Sequence, residues 1–181
     1  MTQELVLLGL LEEGPKHGYE IKRLITKIIE TFTSIKTKSI YYSLRQMEKE
    51  GLVAKRVSRA GRRPEKYIYH ITKKGSGKFQ ELLRRSFLIL ERPFLNIDLC
   101  LYFSPRIKPR MVLARLRTRL RGLGGVKIWL ENMGKSLKEK NTPHHLQTII
   151  QHNLELTKAE IKFTSQLIRT LTKKEALAKA E

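Results

Sequence analysis

The residues best equipped for chemistry in this sequence are cations, hydroxyls and amides set close together. Lys38, Ser39, Tyr41, Tyr42, Arg45 and Gln46 follow one another with no acid until Glu48. Their donors can reach phosphate oxygens, and guanidinium and amide groups can read base edges through paired hydrogen bonds. A second group, Arg59, Arg62 and Arg63 with Lys66 close behind, sits around Gly61 and Pro64, in a stretch suited to a basic loop tip that grips a DNA backbone or enters a minor groove. A third run, from Arg106 through Lys108, Arg110, Arg115, Arg117 and Arg119 to Arg121, contains no acid. A solvated helix face is the ordinary use of such a run, ahead of a second nucleic-acid surface or a membrane patch.

Other chemistries find little support. His144, His145 and His152 lie near one another without a Cys or Glu at ligand spacing, so no metal site is expected. Gly75, Ser76, Gly77 and Lys78 imitate a phosphate loop, but Thr72 stands at the first glycine position and Phe79 where Ser or Thr would hold magnesium; a helix start explains them better. No nucleophile, base and orienting acid stand out. The sequence is read as that of a non-enzyme without a cofactor. Cys100 is the only cysteine, which rules out an intramolecular disulfide and suits a reducing compartment.

Charge favours the anionic partner. The 37 Lys and Arg outnumber the 17 Asp and Glu to give +20 over 181 residues, an excess that repels itself unless an anion is bound. Cut at Ser86, each half carries +10, from 19 basic and 9 acidic residues before it and 18 and 8 after it; charge alone does not say which half meets the anion. With 40% hydrophobic residues the chain has the means to fold. The longest apolar stretch, 5–11, is far too short to span a bilayer, so a cytoplasmic protein with no membrane partner is expected.

The elements that must position the basic groups can be read in order. Leu5, Val6, Leu7, Leu8, Leu10 and Leu11 form a helix apolar nearly all round, hence buried on more than one side, and Gly14 and Pro15 end it. Ile21, Leu24, Ile25, Ile28, Ile29 and Phe32 recur at helical spacing. After a break at Thr33 and Ser34, a third helix over about 38–50 buries Ile40, Leu44 and Met47 and stops at Gly51. The stretches 52–57 and 67–71 alternate in the manner of a hairpin, with the arginine cluster at its tip. Thr72 suits the N-cap of a fourth helix carrying Phe79, Leu82 and Leu83 and extending toward Leu90.

Successive motifs then carry a family resemblance: Leu8-Gly9-Leu10-Leu11, Gly14-Pro15-Lys16-His17-Gly18-Tyr19-Glu20-Ile21, Ser39-Ile40-Tyr41-Tyr42-Ser43-Leu44, Glu48-Lys49-Glu50-Gly51-Leu52-Val53, Gly61-Arg62-Arg63-Pro64 and Ile71-Thr72-Lys73-Lys74-Gly75. In this order and spacing the sequence resembles the PadR family of bacterial transcription regulators, in its longer form with a helical C-terminal region. The resemblance implies that Ser39, Tyr41 and the exposed residues of the third helix meet double-stranded DNA, and that the arginine tip is the wing. The sequence departs from the family at Tyr42, where proline is usual, and over 64–71, which is one residue longer.

In the second half, 94–103 is read as an apolar linking stretch, and Pro109 suits the first position of a helix. Leu113, Leu116, Leu120, Leu123, Leu130 and Leu137 form a stripe weakened at Gly122, Gly124 and Gly125, where a kink is expected. A last helix from Thr142 and Pro143 to about Leu171 carries two stripes. Leu146, Ile149, Leu156, Phe163 and Leu167 are assigned to an intramolecular neighbour. Ile150, Leu154, Ile161, Ile168 and Leu171 are left for the same region of a second subunit, making a homodimer.

The expected fold is mainly α with a small two-stranded β wing: a winged helix-turn-helix head over 1–87 and a helical dimerisation region over 88–181. The expected function is that of a sequence-specific transcription regulator, a repressor acting as a homodimer on a pseudo-palindromic operator, with room for a small-molecule effector for which the sequence names no pocket. The alternative is a sequence-tolerant architectural nucleic-acid binder.

Overall fold

The computed structural model describes residues 2–32, 40–58, 66–90 and 96–177, and the chain divides into two compact units, Met1–Glu91 and Arg92–Glu181. The first holds helices α1 (Thr2–Glu12), α2 (Gly18–Phe32), α3 (Ile40–Lys49) and α4 (Lys73–Ser86), with strands β1 (Lys16–His17), β2 (Val53–Ser58) and β3 (Lys66–Ile71). The three strands make an antiparallel sheet in the order β1, β3, β2. The hairpin expected from the sequence is therefore joined by a third strand, because Lys16 and His17 pair with Tyr69 and Ile68. Two residues before a helix are too few to show a strand's alternation.

The all-round apolar character of α1 is used in full. Leu7, Leu8, Leu10 and Leu11 are each at most 5% exposed. They share a core with Ile21 and Ile25 of α2, Ile40, Leu44 and Met47 of α3, and Leu82 of α4. Gly9 keeps α1 close to α4: a side chain there would begin 3.1 Å from the Phe79 ring.

The end of α3 has a defined geometry. Gly51 adopts φ +73°, the amide of Leu52 donates to the Met47 carbonyl at 2.8 Å and that of Gly51 to the Glu48 carbonyl at 3.0 Å. This is a Schellman stop, which favours a residue without a Cβ. Thr72 caps α4 by accepting from the Gly75 amide at 3.0 Å, while its hydroxyl lies 2.7 Å from the Gly51 carbonyl and its own amide donates to the Leu52 carbonyl at 3.0 Å. Gly75 touches the same turn so closely that a Cβ would fall 2.0 Å from the Leu52 oxygen.

The second unit contains α5 (Asn96–Phe103), a 3₁₀ turn at Ser104–Arg106, α6 (Pro109–Glu139) and α7 (His144–Leu177). Where a linking stretch was expected, residues 96–103 are helical, since nothing in that apolar run breaks a helix. Pro109 opens α6, which stays helical through Gly122, Gly124 and Gly125. Asn141, at φ 48°, turns the chain after α6, with Thr142 donating back to the Leu137 carbonyl at 3.1 Å.

Helices α6 and α7 pack antiparallel. Arg110 meets Glu175 at 3.0 Å and Arg119 meets Glu160 at 2.6 Å, so two cations of the acid-free run find carboxylates on the facing helix. Ile150 is 3% exposed and lies 3.6 Å from the Cβ position of Gly134. Burial within the single chain cuts across the expected stripes of α7. Ile150 is covered within the chain, and Leu154, Ile161, Ile168 and Leu171 are half-buried. Leu156 and Phe163, assigned to the intramolecular contact, are 49% and 41% exposed. Leu146, Ile149 and Leu167 of the same stripe are half-buried. Trp129 is 48% exposed. Among the described residues no helix is long and apolar enough to cross a membrane.

Candidate nucleic-acid interface

Helix α3 turns Ile40, Leu44 and Met47 into the core, because residues four and seven apart share a face. The opposite side is thereby presented to solvent. Tyr41 is 45% and Tyr42 64% exposed; Arg45 is exposed and Gln46 half-buried. Four of the residues singled out from sequence thus occupy the outer side of one short helix. Lys38, Ser39, Arg59, Arg62 and Arg63 lie outside the described residues. Lys66 opens β3, with its backbone paired to Ser58.

Beside α3 lies a cleft of about 400 Å³. Its floor is the start of α2 and the sheet. His17, Gly18 and Tyr19 enter from one side, Tyr41 and Arg45 from α3, and Lys55, Tyr67 and Tyr69 from the hairpin. Strand register explains the last group: Lys55 stands opposite Tyr69 and Val57 opposite Tyr67, so period-two alternation puts them on one face. Gly18 lets α3 come close, since a side chain there would start 3.0 Å from the Tyr41 ring. The first turn of α2 is tied by Glu20, which accepts from the His17 amide at 2.8 Å, and the His17 and Tyr19 rings stack at 5.5 Å between centroids.

Lys55 is held from two directions, with its ammonium 3.2 Å from the Glu48 carboxylate and 5.3 Å from the centre of the Tyr67 ring. Burial pushes the Tyr69 phenol above its ordinary pKa, and the Lys55 charge pulls it partly back. Tyr69 is therefore a neutral hydroxyl at physiological pH. Tyr41 and Arg45 of the sequence-derived set come together in this cleft, whereas Tyr42 and Gln46 do not line it. Tyr19, Lys55 and Tyr67 were not singled out from sequence. The period-two spacing of Lys55 with Val57 and of Tyr67 with Tyr69 was the signal that could have grouped them. Among the described residues no cluster of His, Cys, Asp and Glu could hold a metal ion.

Comparison with known proteins falls on the same head. Residues 7–81 match the model of the transcriptional regulator PadR-like family. The negative transcriptional regulator PadR of Bacillus subtilis (strain 168) is 32% identical over 79 residues, 44% of this chain and 43% of the relative; the matched stretch thus spans under half of the relative's length. The crystal structure of B. subtilis PadR in complex with operator DNA is similar over 94% of this chain and 99% of that one, with TM-score 0.74 and 20% identity. That of B. subtilis PadR in complex with p-coumaric acid covers 95% and 99%, with TM-score 0.72 and 18% identity. At these identities the structural likeness shows a shared fold, a winged helix followed by a helical region. Taken with the motifs along α1, α2, α3 and the hairpin, the match makes the head of this chain, over residues 7–81, similar to the transcriptional regulator PadR-like family.

Proposed function

We propose that the chain is a sequence-specific DNA-binding transcription regulator, a repressor that acts as a homodimer on a pseudo-palindromic operator. One observation carries the reading: a ten-residue helix buries Ile40, Leu44 and Met47 and turns Tyr41, Tyr42 and Arg45 outward, next to a two-stranded hairpin whose connecting segment holds Arg59, Arg62 and Arg63. In a winged helix such a face enters the major groove while the wing grips the flanking backbone. The name of the B. subtilis relative, a negative regulator, supports repression, and its solved complex with operator DNA supports duplex DNA as the partner. The second unit serves as the dimerisation region in this reading. The p-coumaric acid complex of the relative supports a small organic effector as well.

Selection of bound fragments from a pool of random duplexes tests the proposal. A regulator of this kind yields a two-fold symmetric site with half-sites about 10 base pairs, or a multiple of that, between centres. Titration of the selected duplex and a scrambled one follows at several salt concentrations. Affinity for both should fall by about 10³- to 10⁵-fold between about 50 and 200 mM salt if roughly six to ten phosphates are engaged, with the selected duplex ahead throughout. Equal affinity for the two duplexes would establish an architectural binder instead. Weakening by added phenolic acids, measured in the same titration, tests the effector.

A further inference from the structure

The cleft beside α3 has a composition that the reading of α3 as a groove reader does not use. Among the described residues its lining carries two cations, Arg45 and Lys55, together with tyrosyl hydroxyls and no carboxylate, with the Glu48 carboxylate paired to Lys55 beside it. Lysine and arginine only donate hydrogen bonds, and a neutral phenol can donate. The pocket therefore suits a compact anion rich in acceptor oxygens. Lys55 is placed in advance: the Glu48 carboxylate at 3.2 Å and the Tyr67 ring at 5.3 Å hold an otherwise flexible side chain over the cleft, which reduces the ordering cost of binding. Glu20 accepts from the His17 amide and is not among the residues that line the cleft.

The source of the anion follows from position. Tyr41 and Arg45 belong both to the cleft wall and to the outward side of α3. Whatever groove α3 enters, the strand bordering that groove passes the cleft.

We propose that this cleft seats a single phosphodiester of the DNA backbone, with Arg45 and Lys55 supplying the charge and Tyr19, Tyr41 and Tyr67 the hydroxyl donors. The seat sets how deeply α3 enters its groove, because it is built on the first turn of α2 and on the sheet rather than on the hairpin tip. It makes Tyr19, Lys55 and Tyr67 positioning residues for DNA and rests on the DNA-binding reading above.

The test uses the full chain, a duplex selected by it from a random pool, a scrambled duplex, and versions of each in which one backbone phosphate at a time is replaced by a neutral methylphosphonate. Fluorescence anisotropy reads the affinities at constant salt. For the wild-type chain one position in each half-site should cost about tenfold, the scale of a charge-assisted contact. Lys55→Gln, at a side chain 40% exposed and so safe for folding, should bind about tenfold more weakly and lose less than about twofold further at that position. Tyr67→Phe, which keeps the ring, should reduce the penalty at the same position and at no other.

Equal penalties at every position for wild type and Lys55→Gln would overturn the seat while leaving the regulator reading standing. Selected and scrambled duplexes bound alike, with the penalty still coupled to Lys55, would overturn the regulator reading and keep the seat. Inorganic phosphate, added at constant ionic strength, should leave the duplex in place. Its displacing DNA from wild type and not from Lys55→Gln would assign the cleft to the free anion and overturn the backbone assignment.

Discussion

At the scale of single residues, two positions separate reading from holding. Gln46 is half-buried on α3 and does not line the cleft; in the proposed function its amide is a base reader. Gln46→Ala should relax preference at one base position by about 1 to 3 kcal/mol while leaving binding to scrambled DNA unchanged. Repeating the selection with the variant measures it, and an identical selected site would remove Gln46 as a reader. Gly75 tests the fold instead. A methyl group there must displace the Leu52 carbonyl, which lies 2.0 Å from the Cβ position, so Gly75→Ala should destabilise the head by about 1 to 3 kcal/mol in urea unfolding. The basic and hydroxylic residues of α3 were legible in the sequence because helical spacing sorts them from Ile40, Leu44 and Met47. Lys55 and Tyr67 were not: they become neighbours only through strand pairing, and a lone Lys in a strand looks like any solvated side chain.

At the scale of elements, the sequence was most informative where apolar spacing and stop signals agreed. The stripe of α3 ends at Gly51, and Thr72 caps α4 as its residue type suggests. It was less informative where a run is apolar without a period, as over 96–103, because such a run reads equally as linker or helix. The glycines of α6 show a third case. Propensity argues for a weakened segment, but the facing helix keeps the backbone helical through it. Since a Cβ at Gly122 or Gly125 would meet nothing within 4 Å, replacing both by Ala should stabilise the second unit by about 0.5 to 1 kcal/mol each. Thermal unfolding with mass measured in parallel checks this. A loss of stability accompanied by a smaller mass would put those positions in contact with a second chain.

At the scale of the whole molecule, the second unit leaves a large apolar surface uncovered. Leu156 and Phe163 on α7, and Val126, Ile128 and Trp129 on α6, are each between 41% and 60% exposed. Exposed apolar side chains, where they gather into a patch, mark a contact with another protein. In the homodimer reading they are the surface for the second subunit, and Leu156→Asp with Phe163→Asp should give monomers by light scattering, since charges buried there would lack partners. An unchanged mass would move the interface elsewhere. The sequence revealed that α7 carries more apolar surface than one neighbour covers, yet not which residues stay exposed, because the facing helix half-buries members of both stripes. The turn where α3, β2 and α4 meet has a consequence for local opening. Leu52 donates to Met47 and Thr72 to Leu52, while Gly75 donates to the Thr72 hydroxyl, so the stop of α3 and the cap of α4 are chained through Leu52 and opening the turn loosens both helix ends. In amide hydrogen exchange these amides should rank among the slowest of the head, exchanging only when the entire unit unfolds. The first-turn amides of α2, by contrast, should exchange through smaller fluctuations.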